Sequence, residues 1–291
     1  MGISPTLGPH GLLRIFAPHV GVPYPNRINY LSIEPTSQRH PVRDQSELAI
    51  SRERNGRRGL QFLSSNSKRR PGNTNQPATG VMSSDEKTLR VFIHTEAFPG
   101  GALPIIEVVF QAGNPEDVQF RVHQDPGGEP MSECVLSATM GNYAMVREVR
   151  LPGNKTHIAN QLWRPDEEKD YLNFFPWRSW KLPEQMSDDR PSSQLRVSAF
   201  SDTRHAKAYP DSVPNRWRYS GRSCVQTWSV AAGPDTYFAI NARDTYWGIN
   251  VPIPGGRAIE NFEIRRPFIE GQSIRLSIQA TDISNSFRAT P

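Results

Sequence analysis

Short runs in which apolar and polar residues alternate begin at Leu89 and continue almost to the end of the chain. Early runs read "LRVFIHTEAF", "PIIEVVFQAG" and "EDVQFRVHQ", and later ones read "QLRVSAF", "CVQTWSVAAG", "TYFAINAR", "ENFEIRRPF" and "QSIRLSIQATD". Alternation with a period of two is typical of half-buried β-strands, and Gly- and Pro-rich turns separate the runs. The pattern predicts an all-β fold, an antiparallel β-sandwich of jelly-roll form.

Helical periodicity is weak in the same region. The stretch "WRPDEEKDYLNFFPWRSW" is polar and then aromatic, and we expect a connector with one short helical turn at most. No apolar run approaches the roughly 20 residues that a membrane span needs. Pro5, Pro9 and Pro18 interrupt the N-terminal segment where a secretory signal would need a compact apolar core, so we expect a cytoplasmic protein.

Residues 1–86 have a composition unlike the rest of the chain. They contain "SRERNGRRGLQFLSSNSKRRPGNTNQPATG", in which basic side chains are set among Ser, Asn, Gly and Pro. Such a segment buries too little apolar surface to offset the entropy of ordering, which predicts a disordered basic tail. A solvated linker and a phosphate-binding arm both fit its two basic clusters, which are Arg52/Arg54/Arg57/Arg58 and Lys68/Arg69/Arg70.

Charge and cysteine count narrow the classes of function. The net charge of +5 and the pI near 9.4 are too mildly basic to indicate a nucleic-acid partner alone. Cys134 and Cys224 provide neither a disulfide framework nor a metal quartet, and we expect buried reduced thiols. The sequence has no P-loop, dinucleotide fingerprint, nucleophile elbow or metalloprotease motif, and its seven histidines form no close pair. We therefore expect a protein without catalytic activity, cofactor or metal.

Two stretches share one layout and suggest an internal repeat. Residues 108–125 and 227–243 each contain an apolar strand, an Ala-Gly turn, a Pro, an Asp and an alternating strand with polar residues. A repeat at this separation suits tandem β-sandwich segments. The predicted organisation is a tail, a first segment, a connector and a second segment, with bounds 1–86, 87–160, 161–194 and 195–291.

Polar residues continue the strand-like run that starts at Asp235. Phe238 and Ile240 alternate with Tyr237, Ala239, Asn241 and Arg243, which places the Asn and the Arg on the predicted solvent face. Amide and guanidinium groups on such a face are typical of a surface that binds polar ligands. An ordinary wet sheet face has the same pattern.

This stretch resembles the galectin family of β-galactoside-binding lectins. Asn241 and Arg243 match the Asn and Arg of the family's His-x-Asn-x-Arg strand, while Ala239 replaces the His. Further along, "RRPFIEGQSIRLSI" is similar to the family's next strands. In that register Asn250 and Glu260 take the places of two sugar-contacting residues, and Arg257 takes the place of the stacking Trp. Trp247, in the neighbouring loop, is the candidate for a replacement platform.

The resemblance implies a non-enzymatic carbohydrate-binding protein whose partners are glycans or glycoproteins. Galectin-like proteins are typically exported without a signal peptide, so export of this kind is an alternative to a cytoplasmic location. The first repeat places Arg121, His123 and Asp125 at the His-x-Asn-x-Arg positions, and we do not expect conventional galactoside binding there. In this register the chain ends before the last strands of a galectin. Either the second segment is incomplete, or both halves form one sandwich with a long insertion.

Two alternatives remain open from the sequence. The substitutions Ala239, Arg257 and Phe262 at galectin site positions fit a β-sandwich scaffold that has lost sugar binding. A coat-type jelly roll whose basic tail binds nucleic acid is the other, since arginines would neutralise phosphates.

Overall fold

The strands of the chain form two antiparallel sheets. A computed structural model describes residues 2–5, 13–16, 27–41, 62–63, 80–95, 98, 100–139, 146–186, 194–201, 209–214, 218, 224–246 and 249–280. The strands run Gly2–Pro5 (β1), Leu13–Phe16 (β2), Arg27–Ser37 (β3), Phe62–Leu63 (β4), Gly80–Met82 (β5), Thr88–Thr95 (β6), Pro104–Gln111 (β7), Asp117–Gln124 (β8), Met131–Thr139 (β9), Val146–Leu151 (β10), Lys155–Ile158 (β11), Arg178–Lys181 (β12), Gln194–Ser201 (β13), Cys224–Ala231 (β14), Tyr237–Arg243 (β15), Ala258–Pro267 (β16) and Gln272–Ala280 (β17).

Helical structure in the described residues is short. One α-helical turn, α1, spans Ala159–Leu162, and 3-10 turns span Pro152–Asn154 and Leu182–Gln185. This agrees with the expected single helical turn near the connector. No helix in the described part of the chain is long and apolar enough to cross a membrane.

The two sheets pack face to face around one apolar core. The first has the order β1-β2-β3-β9-β16-β15-β12, and the second has the order β11-β10-β13-β14-β17-β8-β7-β6-β4, with β5 also paired to β6. Trp228 of the ten-stranded sheet meets Phe262 of the seven-stranded sheet edge to face, with ring centroids 4.7 Å apart. Cys134 and Cys224 are buried, as expected. The predicted all-β sandwich is therefore confirmed.

Strands from both predicted segments are neighbours within each sheet. β9 pairs with β16, where Leu136 lies opposite Ile264, and β8 pairs with β17, where Phe120 lies opposite Ile274. The tandem arrangement with segments 87–160 and 195–291 as separate sandwiches does not match this pairing. Long-range ladders join the two halves into one sandwich, which is the other arrangement that the sequence left open.

Residues 27–37, which lie within the stretch 1–86 predicted to be a disordered tail, form a strand of the seven-stranded sheet. β3 pairs with β9 from Tyr30 to Ser37, and Ile33 is fully buried opposite Leu136. The strand was missed because its alternation is short and is surrounded by proline- and arginine-rich sequence. Its partner, β9, lies about a hundred residues later in the chain. Both basic clusters lie outside the described residues.

Candidate functional site

The polar residues of β15 lie on the predicted face but not in solvent. Phe238 and Ile240 point into the core, and Asn241 and Arg243 point the opposite way, so the alternation is as expected. However, Asn241 and Arg243 are each only 3% exposed. The prediction that they face solvent is wrong. Asn241 Oδ1 accepts a hydrogen bond from Asn261 Nδ2 on the neighbouring strand, 2.9 Å long, and another segment of the chain covers Arg243.

The covering segment consists of residues 163–177, which are part of the predicted connector 161–194. Its backbone joins the end of β15 through a hydrogen bond from the amide of Phe175 to the carbonyl of Ala242, 2.9 Å long. The ring of Phe174 lies over the Arg243 guanidinium, 4.7 Å from ring centroid to Cζ. Phe174 thus packs on the polar face that the sequence suggested for ligands.

Ion pairs and buried rings fix the connector in place. Lys169 Nζ lies 2.5 Å from Asp244 Oδ2, and Arg178 Nη2 lies 2.5 Å from Glu167 Oε1. Trp163, 1% exposed, donates its indole N–H to the carbonyl of Pro176 at 2.7 Å. The connector is held at both ends, so the polar residues beneath it belong to the interior of the protein.

Glu260 occupies a bulge in the ladder beside Arg243. The register pairs Asn241 with Asn261 and then Ala242 with Ile259, which leaves Glu260 between the two pairs and only 4% exposed. Burial raises the pKa of Glu260 to about 8, and the nearby Arg243 opposes that shift. Burial lowers the pKa of Arg243, while Glu260, Asp170 and Asp244 act against the shift. A guanidinium stays charged through such a shift, so the cluster is a buried cation among carboxyl groups.

Arg257 supports the neighbouring loop instead of presenting a flat surface to a sugar. Its amide and Nη1 both donate to Asn160 Oδ1, at 2.9 and 3.2 Å, and its Cζ lies 5.7 Å from the centroid of Phe175. Arg147 donates to three carbonyls of the same loop, those of Pro254, Gly256 and Arg257. The stacking position of the galectin register is therefore used for internal contacts.

The remaining predicted site residues do not complete an open site. Asn250 is exposed on the loop between β15 and β16, away from the buried environment of Asn241, Arg243 and Glu260. Trp247 lies outside the described residues. As a group, the predicted residues divide into buried polar residues, of which Arg243 and Arg257 contact the connector, and an exposed loop position.

A second polar group, the Glu107 cluster, lies on the outer face of the ten-stranded sheet. It consists of Glu107, Arg90, Arg121, His123 and Glu270. Glu107 is 2% exposed, and its Oε2 lies 2.9 Å from His123 Nε2 and 3.8 Å from Arg121 Nη1. Its Oε1 makes no hydrogen bond within the described part of the chain and lies 3.5 Å from Arg90 Nε. Glu270 Oε1 lies 2.8 Å from His123 Nδ1 and so orients the ring from its other side.

The Glu107 cluster presents polar atoms to solvent, in contrast to the cluster under the connector. The side chains of Arg90, Arg121 and His123 are 50%, 33% and 28% exposed. The register places Phe92 directly opposite Glu107, so a half-buried aromatic ring shares the same face. Donors, acceptors and an aromatic ring on one rigid face can bind hydroxyl groups and stack against an apolar ring face.

Sequence analysis did not select this cluster, although it placed Arg121 and His123 at galectin-like positions. The residue that could have identified the cluster is Glu107, a carboxylate within the apolar run "PIIEVVF". Its neighbours Arg90, Arg121 and His123 come close to it only because β6, β7 and β8 are adjacent in the sheet. Among the described residues, no group of three His, Cys, Asp or Glu side chains is arranged to hold a metal ion.

Comparisons with known proteins give little guidance. No protein-family model and no curated protein sequence matches the chain. The structure is similar, at 8% identity and a TM-score of 0.38, to the GH36 alpha-galactosidase AgaA from Geobacillus stearothermophilus, over 92% of this chain and 32% of that one. The alpha-galactosidase from Lactobacillus brevis matches with 8% identity and a TM-score of 0.36, over 90% of this chain and 30% of that one.

A third solved structure is the galactosidase domain of the alpha-galactosidase-sucrose kinase AgaSK, with 9% identity and a TM-score of 0.37, over 96% of this chain and 42% of that one. The chain spans less than half the length of each of these three proteins. Their names connect them with carbohydrates, but scores this low relate the chain to them neither in fold nor in activity.

Proposed function

We propose that this chain is a non-enzymatic carbohydrate-binding module, and that its ligand contacts the Glu107 cluster on the outer face of the ten-stranded sheet. The observation that carries the proposal is the contrast between the two galectin-like stretches. In the second stretch Asn241 and Arg243 are buried, whereas in the first the side chains of Arg121 and His123 are 33% and 28% exposed.

The cluster has the chemistry that recognition of sugar hydroxyls needs. The buried Glu107 holds the Arg121 guanidinium from below, so the other donors of Arg121 are positioned before a ligand arrives. Both ring nitrogens of His123 contact Glu107 and Glu270, so His123 holds the two carboxylates in place instead of donating to the ligand. Preorganised donors lose little conformational entropy on binding, which favours a weakly binding, polar ligand such as a sugar. Phe92 offers an aromatic surface on the same face, where the apolar side of a pyranose ring can rest.

A glycan array with matched variants tests this function. The panel includes lactose and N-acetyllactosamine, because the sequence resemblance points to β-galactosides, together with other neutral and acidic glycans. We expect the wild-type protein to bind at least one glycan, Arg121→Ala to lose that binding, and Arg265→Ala to keep it. Arg265 is the control because it is a half-exposed arginine, at 51%, on the other sheet. Absence of binding by the folded wild-type protein would overturn the proposal.

A second candidate is a scaffold that binds another protein and no sugar. The observation that favours it is the burial of Asn241, Arg243 and Glu260 inside the protein, where Arg243 packs against Phe174 of the connector. A folded protein that binds no glycan of the panel would support this candidate.

A further inference from the structure

The outer face of the ten-stranded sheet extends the Glu107 cluster into a wide, positively charged surface. Side chains on this face are those that alternate with the core residues of β6, β7, β8, β17, β14, β13 and β10. The charged residues among them are Arg90, Arg121, Arg150, Arg196 and Arg275 against Glu107, Asp117 and Glu148. Glu270 of the Glu107 cluster adds a fourth carboxylate at the edge of this face, so five arginines against four carboxylates leave an excess of one positive charge.

Three of these arginines fall on a single line that crosses the strands. The register runs from β6 to β13 through directly opposed residues, and we name this line the arginine row: Arg90, Val109, Gln119, Arg275, Ser229 and Arg196. Adjacent strands lie about 4.8 Å apart, so the five steps of the row span roughly 24 Å. The arginines are separated by three steps and then by two.

The arginines of the row are accessible to a ligand. The side chains of Arg90 and Arg275 are 50% and 51% exposed, and Arg196 is exposed. Arg275 contacts Asp117, which is itself 17% exposed, and the carboxylate of Glu107 is enclosed by Arg90, Arg121 and His123. Glu107, Asp117 and Glu148 are more buried than the arginines, and only Glu270, at 60%, is an exposed carboxylate, so a ligand that lies along the arginine row itself meets mainly positive charge.

We propose that the arginine row binds a linear acidic polysaccharide, which lies across the strands with its carboxylate or sulfate groups on Arg90, Arg275 and Arg196. The inference rests on the proposed carbohydrate-binding function and names the ligand class. Guanidinium groups bind carboxylate and sulfate oxygens through paired, charge-assisted hydrogen bonds. Gln119 and Ser229, between the arginines, offer an amide and a hydroxyl to neutral parts of the chain. The length of the row suits an extended polymer of several residues instead of a disaccharide.

Nucleic acid is another linear polyanion, but the row fits it less well. Proteins that bind single strands combine basic grooves with aromatic side chains on which the bases stack. None of the six residues of the arginine row is aromatic, and Phe92 lies to one side of the row, opposite Glu107. A polysaccharide, whose charges are carried on aliphatic rings, needs no succession of stacking rings along its length.

The test compares two polymers with one backbone. Polygalacturonate carries a carboxylate on each residue, and its methyl-esterified form carries none, so the pair isolates the role of charge. Affinities of the full chain for both polymers, and for poly(U), are measured by biolayer interferometry at low and at raised salt. Arg196→Glu reverses one charge at an exposed strand position, and the double variant Arg196→Ala/Arg275→Ala removes two charges. Arg265→Ala on the other sheet is the control, and circular dichroism verifies folding.

We expect polygalacturonate to bind roughly ten-fold more tightly than its ester, and both row variants to weaken it by a similar factor while the control does not. Raised salt should weaken the interaction. Equal binding of both polymers, tighter binding of poly(U), or unchanged affinity in folded row variants would overturn the inference. If only neutral glycans bind, with sensitivity to Arg121→Ala, the proposed function stands and this ligand class fails. If no glycan binds, both fail.

Discussion

Replacement of Arg243 by alanine tests whether this residue stabilises the fold or is available to bind a ligand. Arg243 is 3% exposed, and its guanidinium lies 4.7 Å from the ring centroid of Phe174. A desolvated cation–π contact contributes about 2 kcal/mol. The substitution also removes two buried methylene groups, at about 0.8 kcal/mol each. We therefore expect the free energy of unfolding to fall by about 3–4 kcal/mol.

The matched control is Arg265→Ala. Arg265 also lies over an aromatic ring, 4.8 Å from the centroid of Tyr237, and pairs with Glu133 at 3.0 Å, but its side chain is 51% exposed. Exposed contacts of this kind contribute about 0.5–1 kcal/mol, so the control should lose no more than that.

Urea unfolding followed by tryptophan fluorescence measures both variants, because Trp163 and Trp228 are buried and report the loss of structure. The reasoning is refuted if Arg243→Ala loses no more stability than Arg265→Ala. That result would mean that the connector does not depend on Arg243, and that the residue is available to a ligand.

Further predictions concern other parts of the same account. Burial holds the pKa of Glu260 near 8, against 4.5 for an ordinary glutamate, so its contribution to stability is complete below about pH 4.5 and decreases as the pH rises toward 8. Urea unfolding at several pH values should therefore show wild type losing up to about 1.4 kcal/mol per pH unit relative to Glu260→Gln between these limits, and a constant difference would contradict this. Phe175→Ala should cost about 3–5 kcal/mol by the same assay, whereas Tyr171→Ala, at an 88% exposed position of the same connector, should cost about 0.5 kcal/mol or less. Ile33→Ala should lower the free energy of unfolding by about 2–5 kcal/mol if β3 belongs to the core. A decrease as small as that of an exposed surface substitution would instead support the predicted disordered tail.

The sequence predicted the strands well because the information is local. In β15, Phe238 and Ile240 alternate with polar neighbours, and this alternation alone identifies a strand and its two faces. The same holds for β17, where Ile274, Leu276 and Ile278 point into the core. Alternation identifies a face, but it does not reveal which residues from elsewhere in the chain will cover that face.

The errors of the sequence analysis arise from such distant contacts. The ion pair of Lys169 with Asp244 ties the connector to the end of β15. These two residues are 75 positions apart in the chain, so no local sequence pattern predicts their pairing. Asn241 and Arg243 therefore looked exposed. Glu107 likewise looked like an exception in an apolar run until the pairing of β7 with β8 placed Arg121 opposite it.

The central claim is that a glycan binds the outer face of the ten-stranded sheet and not the polar end of β15. Hydrogen–deuterium exchange of the full chain, with and without an oligogalacturonate and separately with N-acetyllactosamine, tests it most directly, because it reports the bound region without a substitution. We predict that bound glycan slows exchange in peptides that cover residues 104–124, which contain Glu107, Arg121 and His123. Slowed exchange confined to residues 237–261 would contradict the claim and place the ligand at the cluster that the connector covers.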